Sequence, residues 1–221
     1  MRYSTLFFDL DDTLYPASTG LWMAIRERMT WYIVENLGVP HEQALAMRKN
    51  YYETYGTTLR GLQHDYKIDP DQYLQYVHDL PLKDYLEPAS TKLHSLLLSL
   101  PQQRWIFTNA DERHARRVLE VLGLQDCFEG IIDIHTTGFY CKPDKQAYLN
   151  ALTHTGETDP TRCIMLDDRL VNLVTAQLLG FTTILVRPEA ESDHLFDLHM
   201  NDLSELKQKM PELWKDGSGW T

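Results

Sequence analysis

The chain has 221 residues, 43% of them apolar and 24% charged, with a formal net charge of -11. That length suits one domain, or one domain carrying a modest insert, with enough buried surface to fold without disulfide staples. The negative charge argues against a nucleic-acid polymer or an anionic membrane as partner, and no run approaches the roughly 18 apolar residues of a membrane span.

Cys127, Cys141 and Cys163 are the three cysteines. They show no CxxC spacing, which argues against a disulfide framework or a zinc site and points to a reducing cytoplasm. The opening MRYSTLFFDLDD carries only a short apolar stretch ending in acids, unlike a secretory leader. An acidic surface repels anions, so a phosphate substrate would require a bound metal ion or a locally basic pocket. Most of the charge is read as an aid to solubility.

In chain order, STLFFDL reads as a buried strand with acids at its C-terminal end, and DDTLYP as a turn-rich exit. Helical periodicity then runs through LWMAIRERMTWYIVENLG, closing at Gly38, and HEQALAMRKNYYETYG, closing at Gly56. TLRGLQHDY is ambiguous. DPDQYLQYVHDL opens with Asp69 as an N-cap and Pro70 at the first helical position. From about residue 88 helix and strand alternate. ASTKLHSLLLSL, DERHARRVLEVLG, DKQAYLNALTHTG and LVNLVTAQLLG read as helices; RWIFTN, GIIDIH, RCIMLDD and TTILVRP read as strands. The tail KDGSGWT reads as a frayed end.

Such alternation predicts an α/β fold, a doubly wound parallel sheet with helices on both faces. Residues 1–15 and 87–221 form the α/β core on this reading, and 16–86 a small all-helical insert leaving after the first strand. Ligands of such sheets sit at the carboxyl ends of the strands. Four of those ends carry polar residues: Asp9 with Asp11, Thr108 with Asn109, the Lys142 loop, and Asp167 with Asp168.

Each of these has an ordinary explanation when taken alone. DLDDT could be a solvated turn, Asp167 and Asp168 helix caps, Thr108 and Asn109 another cap, and Lys142 a surface lysine. Together they are stronger. At about 5 Å and an effective dielectric near 20, each like-charged pair costs about 3 kcal/mol, so four carboxylates at one sheet edge call for a counter-charge. All-oxygen ligands suit Mg2+, which also binds a substrate phosphate oxygen. Lys142 adds a positive charge, with Pro143 fixing its backbone. Thr108 offers a hydroxyl and Asn109 an amide to a phosphate oxygen.

The four segments, in this order, resemble the haloacid dehalogenase superfamily of phosphohydrolases. DLDDT at 9–13 matches its DxDxT motif, TN at 108–109 the second, Lys142 the third and DD at 167–168 the acidic fourth. FFDLDDTLYP, YYETYGTTLRGL, FTNADERHARRVL and CKPD are similar to its pyrimidine 5′-nucleotidase-like branch. Arg169 departs from the small polar residue that relatives often carry after the acidic pair. The resemblance implies that Asp9 attacks phosphorus and becomes an aspartyl-phosphate. Asp11 would protonate the leaving oxygen and then activate water. Mg2+ would be held by Asp9, the main-chain carbonyl of Asp11 and Asp168, with Asp167 acting through water. Lys142 would neutralise Asp9 and the phosphoryl oxygens, and Thr108 and Asn109 would bind phosphate. The second acid, Asp11, favours phosphate over halide, since a departing halide needs no proton.

The insert joins the core near Tyr15–Pro16 and Glu87–Pro88 and is expected to act as a lid. Within YGTTLRGL, Gly56 and Gly61 read as helix breakers, and Thr57, Thr58 and Arg60 as groups facing the leaving group. Tyr51, Tyr52 and Tyr55 read as packing residues of the insert rather than a base-stacking platform. The expected substrate is a small phosphate monoester, favouring a pyrimidine nucleoside 5′-monophosphate, and the expected state is a monomer or weak homodimer. A broad sugar-phosphate phosphatase, a phosphomutase, and a non-catalytic phosphate- or partner-binding module are the alternatives.

Overall fold

Thr5–Phe8 forms strand β1, with all four residues buried. Five further strands follow: β2 (Gln103–Phe107), β3 (Gly130–Ile132), β4 (Cys163–Asp167), β5 (Thr182–Val186) and β6 (Leu198–Met200). They belong to a computed structural model that describes residues 2–188 and 195–214. The 215–221 tail, expected to fray, lies outside the described residues.

The six strands are parallel, in the order β3-β2-β1-β4-β5-β6. The chain builds outward on one side of β1 and then crosses to place β4 on its other side. Phe8 thus pairs with Ile106 of β2 and with Leu166 of β4. In doubly wound sheets this reversal leaves a crevice at the carboxyl ends of the two central strands. TLFF and CIMLD are apolar almost throughout because both of their faces are covered. The expected parallel α/β fold is the one observed.

Two strands differ from expectation. GIIDIH gives only the three residues of β3. Asp133 ends it by turning the chain: its carboxylate accepts the Thr136 N–H at 2.8 Å, the Thr136 hydroxyl at 2.7 Å and the Glu112 N–H at 3.0 Å. The edge strand β6 has too few residues to show an alternation.

The chain divides into two compact units, one holding the sheet and running to Ser18 and again from Leu86, the other Thr19–Tyr85. The second unit contains α1 (Leu21–Leu37), α2 (His41–Tyr55), α3 (Thr58–Tyr66) and α4 (Pro70–Val77). Asp69 caps α4 by accepting the Asp71 and Gln72 N–H groups, with Pro70 in its first turn. Gly38 and Gly56 close α1 and α2 in left-handed geometry. Arg28 of α1 donates to the Tyr76 carbonyl of α4 at 2.7 and 3.0 Å. Gly61 does not break a helix: it lies buried inside α3, where a Cβ would overlap the Tyr51 ring. Tyr51 is a packing residue, with its hydroxyl 2.8 Å from Asp65 Oδ2, whereas Tyr52 is 39% exposed.

In the first unit, α5 (Thr91–Leu98), α6 (Glu112–Leu122) and α7 (Lys145–Thr155) start at side-chain caps, supplied by Ser90, Asp111 and Asp144. The helices α8 (Leu170–Leu178) and α9 (Leu206–Lys209) complete it. Phe7, Phe107, Ile132, Tyr148, Met165 and Phe181 share one buried cluster, and the rings of Phe7 and Phe107 meet edge-on at 6.1 Å. Burying side chains of this size contributes about 1.5–3 kcal/mol each, which anchors β1, β2 and β4 beneath the strand ends. Among the described residues no helix is long and apolar enough to cross a membrane.

Candidate active site

Asp9 follows β1 and keeps its register one residue further, its N–H donating to the Leu166 carbonyl at 2.8 Å. The chain then turns sharply. Asp12 adopts φ 61, a left-handed conformation that aspartate tolerates better than most residues, and the Leu14 N–H reaches back to the Leu10 carbonyl at 3.0 Å. The turn sends Asp9 and Asp11 to different partners.

Asp9 faces Lys142. The lysine side chain is 1% exposed, and its ammonium donates to Asp9 Oδ1 at 2.7 Å, the Phe107 carbonyl at 2.7 Å and Asp167 Oδ2 at 2.9 Å. Three donors meet three acceptors, which is what burying an ammonium requires. Burial alone would lower the lysine pKa, but Asp167 and Asp9 outweigh it and raise it. Lys142 is therefore a fixed positive charge in the crevice.

Asp167 is fully occupied. Beyond Lys142, it accepts the Asn172 amide at 3.0 Å on both oxygens and the Arg169 N–H at 2.8 Å. Asp168 differs: its N–H donates to Thr13 Oγ1 at 3.1 Å, while its Oδ1 is buried without a hydrogen-bond partner among the described residues. Burial, then Asp167 and Asp9, push Asp168 up to about 9. Asp9 is pushed up to about 7 by burial, with Lys142 opposing and Asp167 adding. Burial and the charge of Asp11 push Asp12 up to about 6.

One oxygen from each of Asp9, Asp167 and Asp168 lies within 4.8 Å of the others. The donors are all oxygen, two acids have raised pKa values, and Asp168 Oδ1 is buried and unsatisfied. These features fit a hard divalent cation such as Mg2+. Asp9 and Asp168 have the oxygens to bind it directly, whereas the oxygens of Asp167 are already engaged by Lys142, Asn172 and Arg169.

The Asp11 carboxylate is not in this group. Its Oδ1 accepts the Tyr15 hydroxyl and lies 3.2 Å from His114 Nε2. The left-handed turn at Asp12 and these two contacts set the orientation of the Asp11 carboxylate.

Thr108 extends β2 through its N–H to the Ile132 carbonyl at 3.0 Å, and its hydroxyl accepts the Ala110 N–H at 3.1 Å, keeping its own proton to donate. The Asn109 amide is anchored to the Lys142 peptide, which leaves it a second Nδ2 hydrogen to donate. Its Nδ2 donates to the Lys142 carbonyl and its Oδ1 accepts the Lys142 N–H. In the helical unit, Thr57 caps α3 by accepting the Arg60 N–H at 3.2 Å, and Thr58 is buried. Both threonines thus begin a helix and pack it, and Arg60 lies in its first turn.

Four residues of the site were not singled out from sequence. Thr13 was quoted only as a motif letter, yet it joins the β1 loop to the β4 loop. Asn172 sits one helical turn beyond the acid pair, the usual spacing for a side chain that reaches back. Tyr15 lies in a stretch read as a turn-rich exit and His114 in one read as a helix, neither with a chemical role.

The parallel sheet thus gathers three carboxylates and a buried lysine at the ends of its central strands. Residues 3–180 match the family model described as haloacid dehalogenase-like hydrolase, and the chain belongs to that family. It is 32% identical over 193 residues to phosphate metabolism protein 8 of Saccharomyces cerevisiae, a match covering 81% of this chain and 60% of that protein. It is 30% identical over 97 residues to hexitol phosphatase B of Escherichia coli K12, covering 42% of this chain and 43% of the relative. The chain thus spans 60% or less of the length of these relatives. Two solved structures share the fold: a HAD phosphatase from Thermococcus onnurineus (TM-score 0.64, 17% identity, 93% of this chain and 96% of that one) and the magnesium-bound YfnB of Bacillus subtilis (TM-score 0.61, 19% identity, 94% and 98%).

Proposed function

We propose that the protein is a magnesium-dependent phosphatase that hydrolyses small phosphate monoesters through an aspartyl-phosphate on Asp9. The supporting observation is the Lys142–Asp9 pair, 2.7 Å apart at the β1–β4 crevice with Asp168 alongside. A carboxylate fixed by a buried ammonium, beside a second acid with a buried unsatisfied oxygen, is equipped to bind and attack a phosphoryl group.

In this mechanism Asp9 attacks phosphorus, the bond from phosphorus to the leaving oxygen breaks, and Asp11 gives its proton to that oxygen. Asp11, now a carboxylate, takes a proton from water as the water attacks phosphorus, which frees Asp9 and releases inorganic phosphate. Lys142 holds Asp9 in place and offsets charge on the phosphoryl oxygens, and Thr108 donates to one of them. A bound Mg2+ would supply the charge neutralisation that lets Asp9, Asp168 and the phosphoryl group coexist.

Residues 16–86 are proposed as a helical cap on the core of 1–15 and 87–221. Thr57, Thr58 and Arg60 on this cap are proposed to influence the choice of leaving group. A pyrimidine nucleoside 5′-monophosphate is the favoured substrate, on the resemblance of FFDLDDTLYP, YYETYGTTLRGL and CKPD. The similarity to a hexitol phosphatase favours a second reading, a sugar-phosphate phosphatase. A phosphomutase would use the same two carboxylates but would return a phosphorylated product.

A screen of nucleoside monophosphates and sugar phosphates for released inorganic phosphate, with Mg2+ and with a chelator, tests these readings. Release that needs Mg2+ and is lost in Asp9→Asn is expected. Full turnover by folded Asp9→Asn would reject the nucleophile. Faster release from hexitol phosphates than from nucleotides would replace the nucleotide reading with the second one.

A further inference from the structure

We propose that Tyr15 and His114 are positioning residues for the acid–base carboxylate of Asp11, converging on one of its oxygens and so holding the plane of the carboxyl group. This rests on the reading of Asp11 as acid and base. The Tyr15 hydroxyl donates to Asp11 Oδ1, and His114 Nε2 lies 3.2 Å from the same oxygen. The tyrosine is 4% exposed and the imidazole is wholly buried, while the Asp11 side chain is 15% exposed. The carboxylate is therefore gripped from the protein side.

The two donors come from different parts of the fold. Tyr15 ends the loop after β1. His114 lies in the first turn of α6, where its N–H donates to the Asp111 cap at 3.0 Å. The buried face of α6 is otherwise Ala115, Val118, Leu119 and Leu122. An imidazole there needs a polar partner, and Asp11 is one.

An aspartate on a surface turn rotates about its last bond, exchanging its two oxygens. Proton transfer requires one oxygen held within about 0.5 Å of its productive place. Two donors on Oδ1 fix the plane of the carboxyl group. The same carboxyl group that surrenders a proton to the departing alcohol then receives one from water, with no rotation between the steps.

The test uses kcat/KM for two esters, which covers the steps through alcohol release. Phenyl phosphate needs its leaving oxygen protonated, whereas p-nitrophenyl phosphate needs this much less. Tyr15→Phe and His114→Leu should each lower kcat/KM for phenyl phosphate about tenfold or more, and for p-nitrophenyl phosphate less than about threefold. His114→Gln, which restores an N–H near the Nε2 position, should recover most of the loss. Equal losses on the two esters, or no recovery in His114→Gln, would overturn the positioning role. If His114→Leu does not fold, the near-isosteric Tyr15→Phe decides alone. Asp11→Asn is the control: it should show the same leaving-group dependence more strongly. Its absence would overturn the reading of Asp11 itself, and the role of its two neighbours with it.

Discussion

Both ends of the Asn109 amide are bonded to the Lys142 peptide, Nδ2 to the carbonyl at 2.9 Å and Oδ1 to the N–H at 2.8 Å. The loop after β2 thus sets the backbone from which the buried lysine projects. Asn109→Ala removes two hydrogen bonds and should cost about 1–3 kcal/mol. At this chain length that corresponds to a drop in Tm of about 2–12 °C. Calorimetry checks it; an unchanged Tm would mean that water replaces the amide.

Lys142→Met should be worse. It leaves Asp9 and Asp167 facing one another without the ammonium that now lies 2.7 and 2.9 Å from them. Removing one partner of a buried ion pair costs about 3–5 kcal/mol. Urea unfolding should display that loss, and turnover should be abolished. Lys142→Arg should not restore turnover, because a planar guanidinium does not match three acceptors arranged around one nitrogen.

The raised pKa values of Asp9, about 7, and Asp168, about 9, give a direction for pH dependence. Both exceed the ordinary carboxylate value of 3.8. Between that value and the folded ones, the folded chain binds more protons than the unfolded chain, so stability falls as pH rises. Without divalent ions, Tm should therefore decline from about pH 4 to about pH 9. Added Mg2+ should flatten this decline, raising Tm most at the alkaline end, with protons released on binding. A stabilisation by Mg2+ that is greatest at acid pH would contradict the assignment of these two acids as ligands.

Gly61→Ala offers a test of sign in the helical unit. Propensity alone predicts a gain of up to about 1 kcal/mol from replacing a helical glycine. Here the added Cβ would overlap the Tyr51 ring, and overpacking of this kind costs about 1–3 kcal/mol. The variant should be destabilised, and pairing it with Tyr51→Leu should recover part of the loss. A simple gain in stability would show that the ring moves aside freely.

What each element buries decides how plainly its sequence declares it. TLFF and CIML are legible as strands because both faces are covered, leaving no polar alternation to confuse the pattern. Ser90, Asp69 and Asp111 mark helix starts by local hydrogen bonds that need no tertiary context. TLRGLQHDY is ambiguous as a helix because Gly61 lowers helical propensity, while the reason for the glycine is the Tyr51 ring on another helix. Within the site, acids at strand ends are a local signal. The grip of His114 on Asp11 spans 103 positions and leaves no pattern in either segment. The engagement of the Asn109 amide depends on the path of the Lys142 loop, which residue types alone do not describe.

The hydrogen bond from the Asp168 N–H to Thr13 Oγ1 joins positions 155 apart. Closing so long a loop is entropically expensive and is recovered only when the central strands pair. During synthesis, a chain that has emerged past Lys142 but not Asp167 holds an ammonium with only part of its acid shell. The acid cluster at the sheet edge is therefore completed only with the arrival of β4, and chains that end before it lack Asp167 and Asp168.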